Sequence, residues 1–402
     1  MFNWEKIRDI SYYFYNQYIA ISNIPAYLLL IKDLLGKYTL KENSVHIKAA
    51  IDWICNAQDA TPDKGVSRSY IIRWNPYFKH IGWLPSYPET TGYIIPTMFD
   101  YYSISSEEQY RKRAIDMADW LCEIQMENGA IQGGYIGQPL SPSVFNTGQV
   151  IFGWLRAYKE VKDKKYIIAA EKAGRFLVKM QDKDGAWRVT TSFCAPGPNP
   201  YYTRVAWALL KLNSFTGQKI FKEAAMKNLK WAITMQCPNG WFKNNCLSNH
   251  KTPLTHTIAY ATRGILESGL ILKDDFLIER AKITADKLLE IQMDDGSLVG
   301  CYNSQWQSVV NWRCLTGIAQ ISIIWLKLYK LFGNKKYLLG AHKANNFLKT
   351  TQNVLSKNPG IRGGIKGSHP IWGTYSPYEF LNWATKFFID ALILEEIFRN
   401  PN

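Results

Sequence analysis

Long apolar runs are missing from this chain. No segment of the 402 residues approaches the roughly 18 consecutive apolar residues that mark a membrane-spanning helix. The first forty residues do not read as a secretory leader, since Glu5, Lys6, Arg8 and Asp9 mix their charges and the apolar stretch 24–31 is short. Cysteine is sparse and scattered. The seven residues, at 55, 122, 194, 237, 246, 301 and 314, are odd in number and contain no CxxC pair, which predicts reduced thiols in a cytoplasmic protein. No low-complexity tract interrupts a composition that is 47% hydrophobic and 20% charged, so the chain is long enough to bury a large core.

Acidic residues are in the minority, with 33 Asp and Glu against 48 Lys and Arg, a net charge of +15. Nucleic-acid binding concentrates such charge in a stripe or tail, whereas here it is spread over many predicted helix faces. The expected partner is therefore an anionic sugar or polysaccharide rather than nucleic acid. The plainer alternative is a basic soluble protein from a lysine-rich proteome. Nothing in the sequence specifies an oligomer.

What the chain does contain is a repeat. The stretches "NAQDATPDKG", "EIQMENGAIQGG", "KMQDKDGAWR", "TMQCPNGWFK", "EIQMDDGSLVG" and "TTQNVLSKNPGIRGG" place a glutamine at 58, 125, 181, 236, 292 and 352. By subtraction the spacings are 67, 56, 55, 56 and 60 residues. Each glutamine closes an amphipathic helix such as "KYIIAAEKAGRFLVKMQ", and a turn, a variable loop and a more apolar helix follow. A threonine sits near the start of every apolar helix, at 91, 147, 203, 257, 316 and 385, where it caps the helix or lets neighbours approach closely.

Charged amphipathic helices belong outside and apolar ones inside. Six such pairs closing on themselves predict an all-α (α/α)6 toroid over residues 43–402, with residues 1–42 as a helical extension packed on the barrel. Links from inner to outer helices are short ("SISSEE", "VKDKK", "FTGQK"), while those from outer to inner are long and rich in Gly, Pro and aromatics. The long loops therefore gather where six inner helices begin, an end whose free N–H groups favour an anion.

The spacing Gln181-x-x-x-Gly185-x-Trp187 resembles the QW motif of triterpene cyclase and prenyltransferase toroids, and Gln236-x-x-x-Gly240-Trp241 is a looser copy. The DxDD run of such cyclases is absent, "MDDG" at 293–296 being a turn of the repeat, and so is the Asp, Cys and His zinc set of protein prenyltransferases. The architecture is similar to unsaturated glucuronyl hydrolases, N-acylglucosamine epimerases and the C-terminal domain of glucuronyl C5-epimerases. Through "YPETTGYIIPT", "YYTRVAWALL", "THTIAYATRGILE", "NWRCLTGIAQISIIWLKLY" and "GGIKGSHPIWGTY" the whole chain also resembles toroid proteins of bacterial surface-polysaccharide gene clusters. The resemblance implies fold and pathway more than mechanism.

Aromatics mixed with Arg and Asn suit sugars, whose apolar ring faces stack while hydroxyls and carboxylates take hydrogen bonds. The expected binding set is Asn146, Trp187, Arg188, Tyr202, Arg204, Trp241, Arg263, Trp306, Arg313, His369 and Tyr375. Arg204, Arg263 and Arg313 lie in or at apolar inner helices, so each either pairs with an internal carboxylate or faces the funnel. Glu89, His256, Tyr260 and Glu379 are the acid–base candidates; His256 reads either as a group titrating near neutral pH or as a helix-capping or hydrogen-bonded histidine, and a helix cap is the rival role for Glu89. Cys246, His250 and His256 are the nearest approach to a metal set, and loop residues without metal are the better reading; no cofactor is expected.

For a uronate, proton abstraction at C5 with arginines holding the carboxylate would lead to epimerisation or, on loss of the O4 substituent, to a lyase reaction. A hydrolase needs two opposed carboxylates roughly 5 to 9.5 Å apart, for which Glu89 and Glu379 are available because repeats one and six adjoin in a closed ring. A non-catalytic glycan-binding or scaffold protein is a further alternative. A terpenoid cyclase comes last; a pocket lined mainly by aromatics with an Asp at its base would revive it.

Overall fold

The computed structural model describes residues 24–189 and 198–399. Thirteen α-helices run through them. Helix α1 is Ile24–Leu35. The outer ring is α2 (Asn43–Asp59), α4 (Glu108–Glu123), α6 (Lys164–Lys179), α8 (Lys219–Thr234), α10 (Asp275–Glu290) and α12 (Lys335–Thr351). The inner ring is α3 (Pro88–Ser105), α5 (Val144–Val161), α7 (Thr203–Thr216), α9 (Thr255–Leu272), α11 (Leu315–Phe332) and α13 (Asn382–Arg399). Outer α6 buries Tyr166, Ala169, Ala170, Ala173, Gly174, Phe176 and Leu177, one stripe at three- and four-residue spacing. Inner α9 buries almost every residue of its first four turns. Helix α11 is long and apolar enough to cross a membrane, but 72% of it is buried and it belongs to the inner ring.

The recurring glutamine holds the rings together. Gln125 Nε2 donates to Gly129 O at 3.0 Å, inside its own turn, and to Ala169 O at 2.9 Å, on the next outer helix. Gln181 does the same with Gly185 O and Ala224 O, and Gln292 with Gly296 O and Gly340 O. Gln352 donates to Gly363 O at 2.7 Å and to His46 O at 3.2 Å. His46 lies on α2, so the sixth stitch closes the circle onto the first outer helix. The turn glycine serves the same contact. At Gly185 φ is +93°, and a Cβ there would stand 2.4 Å from Lys227 O on the neighbouring helix.

The recurring threonine does more than cap or make room. Thr147 Oγ1 donates to Ser143 O (2.6 Å) and accepts from Ile131 N–H (2.9 Å), which ties the returning loop to the inner helix. Thr91 and Thr385 repeat both bonds, taking Val66 N–H and Ile365 N–H. Thr316 Oγ1, also buried, makes no hydrogen bond among the described residues. Thr147→Val should therefore strand a buried N–H and lower stability by about 1–3 kcal/mol, while Thr316→Val stays near neutral; urea unfolding midpoints of the two variants check the contrast.

Strands β1 (Ser69–Asn75) and β2 (His80–Trp83) form a hairpin over the loop end, and β7 (Glu379–Leu381) pairs with β1 so that Ser69 faces Leu381. Repeats one and six are thus joined above the barrel as well as around it. Two-residue pairs β3 (Ile131–Gln132) with β4 (Pro142–Ser143), and β5 (Arg313–Cys314) with β6 (Ser368–His369), pin other loops. Helix α1 also lies at the loop end, where buried Asp33 forms an ion pair with Lys366 and accepts from Ile371 N–H at 2.9 Å. Six cysteines, all but residue 194, are free thiols.

Candidate active site

A cavity of about 330 Å³ opens where the inner helices begin. It is assembled from first-turn residues: Glu89 of α3, Phe145 and Asn146 of α5, His256 of α9 and Trp383 of α13. One turn deeper, Tyr93 and Tyr260 sit four residues beyond Glu89 and His256, hence on the same helix faces. Tyr201 enters from the turn before α7, Tyr375 and Ser376 from the loop before β7, and Arg68 with Phe78 from the hairpin. Ten of the seventeen lining residues are aromatic, and seven of those ten are tyrosines.

Glu89 is the lone carboxylate among these lining residues. Pro88 starts α3 and fixes the backbone so that Glu89 falls in the first turn. The side chain is only 8% exposed and accepts from Tyr87 Oη at 2.8 Å. Burial pushes its carboxyl up to about 7, against the opposing pull of the Tyr87 hydroxyl, Arg204 and Arg68. Desolvation outweighs the helix dipole here.

Of the two readings of His256, the structure has the hydrogen-bonded one. Burial and then the Arg204 charge push its ring down to about 3, so it is neutral near pH 7 and does not titrate there. The Gln320 amide of α11 donates to its Nδ1 at 2.7 Å, which puts the ring proton on Nε2. Its ring packs against Tyr260 (centroids 4.3 Å apart) and Tyr375 (5.6 Å). Tyr260 and Tyr93 hydroxyls lie 3.4 Å apart on the floor, and burial raises both phenols, so neither ionises. Tyr375 Oη accepts from Trp383 Nε1 at 2.8 Å, and Asn146 Nδ2 donates to Gln132 O at 2.9 Å.

Glu379 lies beside the cavity, outside its lining. Its carboxylate takes Arg68 Nη1 at 2.6 Å and Ser69 Oγ at 3.0 Å, two residues along β7 from the partner of Ser69. The Arg68 guanidinium is stacked 4.7 Å from the Phe78 ring and 5.0 Å from that of Trp383.

Of the residues expected at the funnel, Glu89, Asn146, His256, Tyr260 and Tyr375 come together. Others do not reach it. Trp187 is 1% exposed and its Nε1 donates back to Leu177 O, so it wedges the outer ring. Arg188 is exposed and clamps the turn through Asp182 and Asp184 at 2.7 and 2.6 Å, away from the cavity. Trp241 and Trp306 are packed between loops, their indoles directed at Tyr302 O and Asn239 O. Tyr202 is buried behind Phe145 and Tyr201. Arg313 Nε donates to Ser297 Oγ, and His369 stands 3.7 Å from Asp33. Arg263 lies at the opposite end, paired with Glu267 at 2.7 Å, so the carboxylate alternative holds for it. Arg204 is inside the barrel below the floor, 4.5 Å from the Tyr260 ring, with Gln149 Oε1 accepting from its Nε at 2.8 Å. Cys246 and His250 contact each other at 3.2 Å, and among the described residues no three His, Cys, Asp or Glu cluster as metal ligands.

No family model matches the chain. In sequence it is 24% identical over 203 residues to the alpha-onocerin synthase LCD of Lycopodium clavatum; the match covers 46% of this chain and 25% of that protein. The solved structures it resembles include an unsaturated glucuronyl hydrolase specific for heparin, at TM-score 0.70 and 16% identity over 88% of this chain and 97% of that one. A sugar epimerase from a ruminal bacterium follows at 0.69 and 14% over 88% and 99%. The cellobiose 2-epimerase of Bacillus thermoamylovorans B4167 gives 0.67 and 12% over 88% and 98%. The fold is theirs, an all-α toroid.

Arg68, Phe78 and Trp383 are site residues that the repeat pattern did not reveal. The signal for Phe78 was present in "SYIIRWNPYFKHIGW", two β-rich runs around a turn that Arg68 directly precedes.

Proposed function

We propose that this protein is a carbohydrate-active enzyme that binds one acidic sugar unit of a surface polysaccharide or glycan-lipid precursor, with Glu89 as the group that moves a proton. The observation that carries the reading is a buried carboxyl at about 7, the lone acid on the wall of a cavity walled by tyrosines. Such a group is present in both protonation states at neutral pH, which suits a general base or acid. Tyrosine faces offer stacking for a sugar ring and their hydroxyls offer hydrogen bonds. A cavity of about 330 Å³ is at the small end of ligand sites. The sugar chemistry in the names of the structural relatives agrees with this reading.

For a uronate the favoured step is proton abstraction at C5 by the Glu89 carboxylate, with the Arg68 guanidinium, whose Nη1 is held by Glu379, offering its other N–H groups to the sugar carboxylate. Return of the proton to the opposite face is epimerisation; loss of the O4 substituent is elimination. Hydrolysis by paired acids has less support, because Glu379 is already tied to Arg68 and lines no part of the cavity. A terpenoid cyclase-like reaction is the second reading, favoured by the aromatic majority of the wall and by the sequence match to an onocerin synthase.

Incubation of the protein with uronate-containing oligosaccharides in D2O separates these readings. Epimerisation places deuterium at C5, elimination gives a C4–C5 unsaturated product, and hydrolysis gives reducing ends with neither. Turnover of a polyprenoid epoxide with none of these sugars transformed would reject the proposal. So would saturable sugar binding without any conversion, the behaviour of a glycan-binding protein.

A further inference from the structure

A second cavity, about 310 Å³, opens at the other end of the barrel, where the inner helices finish; Tyr93 is common to both cavities. Its lining holds seven Lys and Arg side chains against three carboxylates. The carboxylates are used up. Asp100 takes Arg156 at 2.5 Å, Glu267 is shared by Arg263 at 2.7 Å and Lys327 at 2.9 Å, and Asp390 holds Lys386. Lys159, Lys211 and Arg204 form no ion pair among the described residues.

These charges converge. The Trp207 ring has Arg204 and Arg263 each 5.4 Å away and Lys211 at 5.7 Å. Arg204 is 2% exposed, yet among the described residues its Nε–H to Gln149 is its single hydrogen bond. Its two Nη groups are absent from the buried polar atoms that lack partners, as expected of groups open to the cavity. Burial lowers the Lys386 ammonium against the opposing pull of Asp390, and Arg204 and Arg263 lower it further. Carbonyls at the inner-helix C-termini offset such charge within about one turn, but Lys386 and Arg204 lie some three turns back from theirs. A counter-charge from outside the chain is what the arrangement lacks.

We propose that this far-end cavity is a second binding site, for a multiply charged tetrahedral oxyanion group, either free phosphate or sulfate or the same group carried as an ester on a sugar. The site stands independently of the function proposed for the Glu89 cavity.

Titration calorimetry of the protein with inorganic phosphate, and separately with a hexose 6-phosphate, tests it against chloride at matched ionic strength. Saturable binding of either probe is expected. The double variant Lys159→Gln/Lys211→Gln should weaken that binding at least tenfold. Both side chains are exposed, so its melting temperature should match that of the parent. A hexose phosphate preferred by tenfold or more identifies the ester as the ligand, and the reverse preference identifies the free ion. Heats no larger than those of chloride, or unchanged affinity in a normally folded double variant, would overturn the proposal.

Discussion

Glu89→Gln is expected to lose at least about a hundredfold in turnover and, at the same time, to make the fold more stable above neutral pH. The first effect follows from the proton-transfer role, for which factors of about 100 to 10,000 are usual. The second follows from linkage. The Glu89 carboxyl stands at about 7 in the folded chain against an ordinary 4.5, so the folded state holds a proton that the unfolded state has released between those values. Folding is therefore favoured below pH 4.5 and loses that advantage as the pH rises to 7. The loss is about 3 kcal/mol, from some 2.5 units at about 1.4 kcal/mol each. Glutamine does not titrate. The stability gap between variant and parent should thus be small at pH 4.5, grow through pH 6 and level off above pH 7, in urea unfolding measured across that range. A flat gap would remove the raised carboxyl, and with it the strongest support for the catalytic reading. A growing gap with intact turnover would leave the carboxyl in place but assign it no proton transfer.

Activity should follow the same group. If the ionised carboxylate abstracts a proton, turnover rises through pH 7 and holds above it. If the protonated form donates, turnover falls there. His256, held near 3, contributes no second limb between pH 5 and 9. The profile of turnover against pH therefore reports on Glu89 without interference from its neighbour.

The repeat was readable because Gln125, Gln181, Gln292 and Gln352 do one physical job at four places, and a side chain with two amide protons to place tolerates little substitution. Site residues were readable where they sit in the first turn of an inner helix, as Glu89, Asn146 and His256 do. Errors had geometric causes. Arg263 is seven residues beyond His256, and at about 1.5 Å per residue that carries it some 10 Å down the barrel to the other cavity. Trp187 and Arg188 directly follow a turn whose backbone is pressed against the next outer helix, so they belong to the ring and its rim. Spacing alone located the motif but not the face on which its side chains emerge. His256 stayed open for a different reason: its low value comes from burial and then from Arg204, neither of which is local in sequence.

Closing the ring should have a measurable energy of its own. Gln352→Ala deletes two buried bonds, to His46 O and Gly363 O, and the contact of Gln352 Oε1 with His46 Nδ1 at 2.5 Å. His46 O, Gly363 O and His46 Nδ1 each lose a buried partner, while His46 Nε2 keeps the Lys41 N–H, and stability is expected to fall by about 2–4 kcal/mol. Gly363→Ala should do at least as much by another route. Its φ is +85°, and the added methyl carbon would stand 1.9 Å from Ala49 O on α2, a backbone atom that moves only if the outer helix moves. Both changes strike one seam, between the last turn of the chain's repeats and the first outer helix, so their effects should fall short of additive in the double variant. Gln125→Ala removes the corresponding bonds between α4 and α6, whose partner helices are neighbours in sequence and remain tethered by the α5 hairpin. The seam has no covalent tether of that kind, because α2 and α12 are almost three hundred residues apart along the chain. Hydrogen exchange should therefore show α2 and α13 opening ahead of the rest in Gln352→Ala, while Gln125→Ala loses protection only locally. If both variants open the same way, the seam is no weaker than any other joint in the ring.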